Sequence, residues 1–358
     1  MPPLSPAVWL RRPAATLPYP LSEPGCALFA RAREGLFLGV AALGMGPGDE
    51  VLVPAYHHGS EVEALERAGL RCRFYDVGER LEPDEGALEA LLTERTRALQ
   101  IVHYLGFPQD APRWRRWCDE HGVCLIEDAA HAWLGSVAGR PAGSFGDLSI
   151  FCLYKMVGVP DGGAAIRRPS APAVSGRPPV RVAALALEHA LWLATRSGAV
   201  ARIATTVRPT RPYDAAADFA LAPPRPASVA TRLVLARVAH ADVAARRRAN
   251  YKRLAAGLPP GLVPAAFGTL PEGVCPFVLP VAVRDKPGLL GGMRRALVHA
   301  LDLWSVPHPS LRADAFPRSA ALRRHVVGLP VHQELTARDV DRIAATVRAA
   351  DPAPAGGL

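Results

Sequence analysis

The sequence contains little lysine. Lysine and arginine together number 42 in 358 residues, but only three are lysines: Lys155, Lys252 and Lys286. The chain uses arginine wherever a plain positive charge suffices, so a lysine retained in an apolar segment indicates chemistry that a guanidinium cannot perform. The main such task is to lose a proton and form an imine with a carbonyl compound.

Long apolar runs and cysteine pairs are also missing. No run approaches the roughly 20 apolar residues of a membrane span, and the N-terminus lacks the apolar core of a secretory signal peptide. The six cysteines are widely spaced with no Cys-x-x-Cys pair, which argues against a zinc site or a disulfide framework. We therefore expect reduced thiols, a cytoplasmic location, no transmembrane segment and no metal.

Aromatic residues make up 6% of the chain, and they are not interleaved with its basic residues. The net charge of +9 and the pI near 9.6 would suit an anionic partner. The arginines are scattered, however, and no nucleic-acid motif is present, so we expect no nucleic-acid binding. The hydrophobic fraction of 49% and the charged fraction of 21% are typical of a globular protein.

Short apolar runs alternate with helical patterns along the first half of the chain, which predicts a mostly parallel sheet covered by helices on both faces. The predicted strands are 51–54, 72–77, 98–104, 123–126, 148–154, 275–283 and 326–332. The predicted helices are 27–43, 61–68, 83–93, 114–121, 182–193, 228–258, 289–303 and one beginning after Thr336, a plausible N-cap.

The length predicts two lobes rather than one. We expect an N-terminal arm over 1–25, a large domain over 26–227 and a small C-terminal α+β domain over 228–358. Within the large domain, 167–226 is an irregular insertion with a helix at 182–193. That Arg-flanked, partly apolar helix could pack on a partner subunit, the favoured interpretation, or lie on a membrane surface.

The segment 123–163 brings an acid and a lysine to the ends of neighbouring strands. The apolar run 123–126 ends in Glu127 and Asp128, and the run 148–154 leads to Lys155 before a Pro-Asp-Gly-Gly turn. Open α/β sheets bind their ligands at the carboxyl ends of strands. The alternative for Lys155 is a surface lysine without a function.

Four motifs in this order resemble the DegT/StrS-type sugar aminotransferases: Glu-Asp-Ala-Ala-His at 127–131, Gly-Ser-Phe-Gly-Asp at 143–147, the Lys155 segment and the Asp-Gly-Gly after it. The chain looks like the short-loop branch of that family, in which the lysine precedes Val-Pro-Asp-Gly-Gly. The resemblance implies a fold type I pyridoxal-phosphate (PLP) enzyme.

By resemblance, Lys155 would bind the PLP aldehyde, Asp128 would pair with the pyridine nitrogen and His131 would lie near the ring hydroxyl. His58 stands where the family has an aromatic residue that stacks on the ring, and its flat imidazole can do the same. An ordinary loop role for His58 is the alternative.

The resemblance places the cofactor phosphate at Arg31, Ala32 and Arg33, where Arg33 could grip it by a bidentate contact. An exposed helical arginine is an equally good interpretation of Arg33. Cys152 stands at the family's phosphate-binding serine. The chain therefore appears short of phosphate ligands, and we expect a homodimer in which Arg225 completes the neighbouring subunit's site.

The implied reaction moves an amino group from glutamate or glutamine to a keto sugar, on a nucleotide carrier, or to a cyclitol. The alternatives are a PLP enzyme of another reaction type and a catalytically silent paralogue that dimerises or associates with membranes. Lys155 disfavours a dehydratase, because the family's dehydrating members replace this lysine with histidine.

Overall fold

A mostly parallel seven-stranded sheet organises the first half of the protein. The computed structural model describes residues 3–168, 170–196, 214–239 and 242–356. The strands are β1 Cys26–Phe29, β2 Glu50–Pro54, β3 Arg71–Tyr75, β4 Thr96–Val102, β5 Cys124–Asp128, β6 Ser136–Val137, β7 Arg140–Pro141, β8 Leu148–Cys152, β9 Gly163–Arg167, β10 Val278–Ala282, β11 Leu301–Asp302 and β12 Val326–Pro330. The main sheet has the order β1-β9-β8-β5-β4-β2-β3, and only β9 runs against its neighbours.

Helices cover this sheet and a second, antiparallel sheet of order β10-β12-β11. The helices are α1 Ala32–Ala42, α2 Ser60–Arg67, α3 Glu85–Leu91, α4 Ala111–His121, α5 Leu153–Met156, α6 Val182–Arg196, α7 Ala215–Phe219, α8 Val229–Val238, α9 Asp242–Ala256, α10 Lys286–Arg295, α11 Pro317–His325 and α12 Ala337–Ala350. The prediction of a mostly parallel sheet covered by helices is confirmed. Within the described residues, no helix is long and apolar enough to cross a membrane.

Helix α1 packs unusually close to the sheet. A Cβ on Gly35 would lie 2.6 Å from Cβ of Ala165, and one on Gly39 would lie 2.5 Å from a methyl carbon of Leu148. These two glycines, one helical turn apart, remove the side chains that would hold the helix away from β8 and β9. The N-terminus of α1 is thereby held beside the carboxyl end of β8, which ends at Cys152.

The C-terminal sheet has its own core. Tyr251 and Leu254 of α9, Val281 of β10 and Val347 of α12 pack into one buried cluster against one face of the small sheet. Helix α12 begins with a full capping box, because Thr336 accepts from the Asp339 N–H and the Asp339 carboxylate accepts from the Thr336 N–H. The domain boundaries themselves stay a prediction.

Three sequence-predicted elements differ from the structure. Residues 26–29 are not the start of a helix but strand β1, which pairs antiparallel with β9, and the helix begins only at Ala32. The single helix predicted over 228–258 is two helices, α8 and α9, since α8 ends at Val238. The helix predicted over 289–303 ends at Arg295, and 301–302 is strand β11.

Candidate active site

Asp128 and Lys155 meet at the carboxyl edge of the main sheet. Asp128 is the last residue of β5, and its register partner on the parallel neighbour β8 is Ile150. Lys155 follows β8 on the single turn α5, three residues beyond the strand's end at Cys152. The lysine lies deep in the protein, yet part of its surface stays open to a cavity of about 570 Å³.

Every site residue that the sequence predicted lines this one cavity. They are Ala32, Arg33, His58, Asp128, His131, Cys152, Lys155 and Arg225. A larger cleft of about 900 Å³ lies between Trp114 and Phe267, but its described lining includes no lysine. The smaller cavity is therefore the one that can hold a carbonyl compound as an imine.

His131 is the polar contact of Lys155. Lys155 Nζ lies 3.0 Å from His131 Nε2, and the imidazole is stacked between Phe277 and Trp304 at centroid distances of 4.6 and 5.5 Å. Burial, and then the positive charge of Lys155, lower the pKa of His131 well below its ordinary value. His131 is therefore neutral and accepts from the ammonium through Nε2. The ring proton then sits on Nδ1, a buried atom with no partner among the described residues.

Asp128 is a buried carboxyl that forms no salt bridge with another described residue. Its Oδ1 accepts from the Ala130 N–H at 2.9 Å. Burial, and then the negative charge of Glu61, raise the pKa of Asp128 to about 6, although Lys155 and His103 act in the opposite direction. A cation bound next to this carboxyl in the cavity would strongly stabilise its ionised form.

Charge also sets the state of Lys155. Burial alone would lower its pKa, but negative charge on its neighbours, first Cys152 and Tyr154 and then Asp128 and Glu61, outweighs burial and raises the pKa. Lys155 is therefore an ammonium in the free protein. It has to give up a proton before it can attack a carbonyl carbon.

Glu127 supports the site from behind and does not line the cavity. Its carboxylate accepts from the N–H groups of Gly143, Phe145 and Gly146, and it receives a hydrogen bond from His103 Nε2 at 2.9 Å. His103 Nδ1 accepts from the Gln109 N–H at 2.9 Å, so the proton of a neutral ring must be on Nε2. Glu127 thus folds the Gly-Ser-Phe-Gly-Asp loop against β5.

Arg31, Tyr154 and Cys152 line one end of the cavity, beside the N-terminus of α1. Arg31 is the N-cap residue, and its guanidinium lies 4.7 Å from the centre of the Tyr154 ring. The Cys152 thiol is 3.7 Å from the Tyr154 hydroxyl. A cation, a hydroxyl and free helix N–H groups together suit a phosphate.

Arg33 lines the cavity, but one of its guanidinium nitrogens is engaged by the protein. Its Nη1 donates to the carbonyl oxygens of Asp218, Phe219 and Ala220. These contacts hold residues 214–220, hereafter the 214–220 wall, along one side of the cavity. Arg33 therefore holds protein in place, and Arg31 is the arginine that accompanies the Tyr154 hydroxyl.

His58 and Gly59 also contact this wall. His58 Nε2 lies 2.9 Å from Asp218 Oδ2, and its Nδ1 is 3.2 Å from the Ser60 hydroxyl, so both ring nitrogens are engaged. Gly59 has φ 120°, and a Cβ there would come within 2.6 Å of the Phe219 ring.

Arg225 lines the cavity of its own chain. Its N–H donates to Glu34 and its carbonyl accepts from Ala30. The contribution to a neighbouring subunit, which the sequence suggested, stays a prediction.

The sequence did not indicate Trp304, Phe277 or Glu61 as site residues. Trp304 and Phe277 come from the C-terminal half and reach the cavity only through the fold, so no local motif marks them. A local sequence signal did exist for Glu61, because it is an acid in the first turn of α2. Its carboxylate accepts from the His58 and Gly59 N–H groups there.

The chain is similar to proteins of known activity over its first half. Residues 24–172 match the model of the DegT/DnrJ/EryC1/StrS aminotransferase family. The UDP-N-acetyl-3-dehydro-alpha-D-glucosamine 3-aminotransferase of Acidithiobacillus ferrooxidans is 37% identical over 131 residues, which are 36% of this chain and 35% of that enzyme. The GDP-perosamine synthase of Vibrio cholerae is 36% identical over 120 residues, or 33% of each chain. These matches span only about a third of the curated relatives' length.

Solved structures match over nearly the whole chain. S. venezuelae DesV superposes with a TM-score of 0.66 at 25% identity and covers 90% of this chain and 84% of its own. The PLP form of a putative sugar aminotransferase, Spr1654 from Streptococcus pneumoniae, gives a TM-score of 0.62 at 19% identity over 91% and 86% of the two chains. The second comparison concerns the fold alone. Together they confirm the predicted fold type I architecture.

Proposed function

We propose that this protein is a PLP-dependent aminotransferase acting on a keto sugar, because residues 24–172 match the model of the DegT/DnrJ/EryC1/StrS aminotransferase family. The observation that carries the proposal is the 3.0 Å contact between Lys155 Nζ and His131 Nε2, in one cavity with the buried Asp128. Members of this family depend on PLP. The donor set is consistent with PLP: an amine for the aldehyde, a carboxyl for the pyridine nitrogen and the buried Nδ1–H of His131 for the ring oxygen.

Bound PLP supplies an electron-accepting ring that makes the proton on the substrate's amine-bearing carbon acidic. Asp128 would hold the ring nitrogen in its protonated form. Pairing with that cation ionises the carboxyl whose pKa is raised to about 6 in the free protein. Burial excludes the water that would otherwise weaken this ion pair.

Lys155 would first bind the cofactor aldehyde and then act as the base that moves a proton at the substrate carbon. His131 accepts a hydrogen bond from the ammonium through Nε2, so it orients the lysine without competing for its proton. His58 would contact the ring, since both of its nitrogens are engaged and fix the imidazole plane.

For the phosphate we propose Arg31, the Tyr154 hydroxyl and the N–H groups that begin α1, with Cys152 beside them. Arg31 replaces Arg33, the sequence-based candidate, because the Nη1 of Arg33 is used by the 214–220 wall. Arg225 lines this cavity in its own chain, whereas the homodimer proposed below would use its guanidinium in the neighbouring subunit's site.

The acceptor is proposed to be a nucleotide-linked keto sugar and the donor glutamate or glutamine. The relatives' names support this class, since they include a UDP-linked 3-aminotransferase and a GDP-perosamine synthase. We also propose a homodimer. Mixing Lys155→Ala with Arg225→Ala subunits tests for composite sites, because shared sites would restore part of the activity.

The decisive experiment is an absorbance spectrum of the purified protein with PLP, before and after glutamate. We expect a visible band from PLP bonded to Lys155, which bleaches on adding the donor and returns on adding a UDP-, GDP- or dTDP-linked keto sugar. Lys155→Ala is the control and should not form the band. A wild-type protein with no band at saturating PLP would contradict the proposal.

A further inference from the structure

Seven large apolar side chains lie exposed on three adjoining elements, and we call them the apolar face. They are Trp9, Leu10, Val180, Val182, Leu187, Leu193 and Leu233. In the described part of the chain only one other large apolar side chain, Val306, is comparably exposed. The concentration on one face distinguishes this region from the scattered exposure that is normal on protein surfaces.

Contacts between the elements hold these residues together. Trp9, on the 3-10 turn Pro6–Leu10, donates to His189 of α6 at 3.0 Å, and the Arg237 guanidinium of α8 lies 5.7 Å from the Trp9 ring centre. The carbonyl of Val180 accepts from the Ala230 N–H at the start of α8. The 3-10 turn, α6 and α8 therefore form one continuous surface beside the β1 edge of the sheet.

The outer side of α6 is apolar along its described length. Its exposed residues are Val182, Ala183, Ala186, Leu187, Ala190 and Leu193, which recur at intervals of three or four and so share one helical face. The opposite side is bound to the protein body: His189 Nδ1 lies 3.0 Å from the Leu4 carbonyl, and Trp192 Nε1 donates to Glu334. The helix is thus held with its apolar face outward.

Arginines outnumber acids in the segments that carry this face, although Asp161 pairs with Arg181 and Glu334 accepts from Trp192. Residues 3–12, 171–196 and 226–239 contain Arg11, Arg12, Arg177, Arg181, Arg196, Arg232 and Arg237, and their single acid is Glu188. Two copies of this face would bring like charges together, which disfavours self-association.

We propose that the apolar face binds the surface of an anionic lipid membrane, with α6 lying in the plane of the headgroups. A helix with leucine on its exposed side, a hydrogen-bonded tryptophan beside it and arginines around it is suited to that interface. Arginines near an anionic leaflet add attraction, and the leucines enter the acyl boundary. Binding of this kind is peripheral, and it is independent of the proposed enzymatic reaction.

Co-sedimentation of the full chain with phosphatidylcholine vesicles, with and without phosphatidylglycerol, tests the proposal. We expect binding only when phosphatidylglycerol is present, and weaker binding as salt rises. Leu187→Gln with Leu193→Gln should lower the partition coefficient by roughly tenfold for each leucine. Arg12→Gln with Arg177→Gln should lower it by roughly fivefold for each arginine.

Two substitutions away from the face serve as matched controls. Val306→Gln alters an exposed apolar residue in the C-terminal half, and Arg71→Gln alters an exposed arginine on β3, at the opposite edge of the sheet from β1. Both should bind vesicles like the wild type. Equal losses in the controls, or no dependence on phosphatidylglycerol, would overturn the proposal.

Light scattering tests whether a second copy of the chain, rather than a membrane, covers the apolar face. If the leucine variant converts an oligomer to monomers and the wild type ignores vesicles, the face is an interface between copies and the proposal is wrong. Unchanged oligomeric state with lost vesicle binding supports it. The arginine variant keeps the test valid if the leucine variant misfolds.

Discussion

Two of the buried clusters of charge in the described part of the chain, around Lys286 and around Lys155, are built in opposite ways. Around Lys286, Nζ lies 2.7 Å from Asp302 and donates to the carbonyls of Leu303 and Arg323 at 3.3 and 2.8 Å, so its three donors are used. Around Lys155, the contact is His131, and part of the ammonium surface faces the cavity. The first cluster is saturated by the protein, and the second is left to be completed by a ligand.

The pKa values move in opposite directions as well. Burial lowers the pKa of Lys286 despite Asp302, whereas nearby negative charge raises that of Lys155. Burial alone therefore does not identify a catalytic lysine. The informative combination is a buried lysine, an unpaired carboxyl beside it and open space for a third group.

The largest expected effect separates the two lysines directly. Borohydride treatment of the PLP-loaded protein should label Lys155 and leave Lys286 unlabelled, and Lys155→Ala should lose the visible band and at least about 10³-fold in activity. Peptide mass spectrometry locates the label. Lys286→Met is the matched substitution: it should reduce the midpoint of thermal unfolding but retain the band. A label on Lys286 or Lys252 would show that Lys155 is not the lysine that binds the cofactor.

The next effect concerns the carboxyl that each lysine faces. Asp128→Asn should still bind PLP, but it would no longer hold the ring nitrogen protonated, so proton abstraction should slow by roughly 10²-fold or more. Stopped-flow absorbance after adding glutamate measures this step. Asp302 also lines the cavity, but its partner is Lys286, so Asp302→Asn should leave the rate of this step unchanged. A near-wild-type rate in Asp128→Asn would show that Asp128 is not needed to keep the ring nitrogen protonated.

The pH dependence of the free energy of unfolding gives a further test of Asp128. The pKa of Asp128 rises from its usual 3.8 to about 6 in the cofactor-free protein. Protonation therefore stabilises the fold fully below pH 3.8, and this contribution is lost as the pH rises through 6. Asp128→Asn should then be more stable than the wild type at about pH 8, by up to about 3 kcal/mol, and equally stable near pH 4.

Urea unfolding of both cofactor-free proteins at the two pH values gives this difference. Saturating PLP should reverse its sign at the higher pH, because the cofactor stabilises the ionised carboxylate. A wild-type protein with no disadvantage at either pH would show that Asp128 is already paired within the free protein.

The smallest effect compares two arginines at the phosphate end. Arg31→Gln should weaken PLP binding by roughly tenfold to a hundredfold, since a charged hydrogen bond contributes about 1.5–3 kcal/mol. Binding of pyridoxal, which lacks the phosphate, should not change. Arg33→Gln is the control, and it should not discriminate between PLP and pyridoxal. Fluorescence quenching titrations measure both ligands, and equal losses for both ligands in Arg31→Gln would contradict the assignment.

Much of this site was accessible from sequence because its reactive residues lie on adjacent strands of one sheet. Asp128 and Lys155 follow short apolar runs, and such runs reveal where parallel strands end. The direction of Arg33 was not accessible. Nothing local shows that its guanidinium would be used by carbonyls nearly 200 positions later in the chain.

The errors in the fold have physical causes of the same kind. Strand β1 has four residues and the composition Cys-Ala-Leu-Phe, which fits a helix as well as a strand, and its pairing with β9 determines the outcome. The break between α8 and α9 follows Val238 in a segment without glycine or proline, so no local signal marks it. Trp304 could not be predicted as a site residue because distant contacts position its backbone. Lys286 donates to the neighbouring Leu303 carbonyl, and Arg323 donates to the Trp304 carbonyl.

The 214–220 wall has a consequence for how long a cofactor would remain bound. It is held against the rest of the cavity by Arg33, by His58 and by the packing of Phe219 against Gly59 and His308. A cofactor bonded to Lys155 would leave only after that bond is broken, and the wall would then slow its escape. The wall would therefore add to the residence time, so an enzyme with ordinary affinity for its cofactor could keep the same molecule through many turnovers.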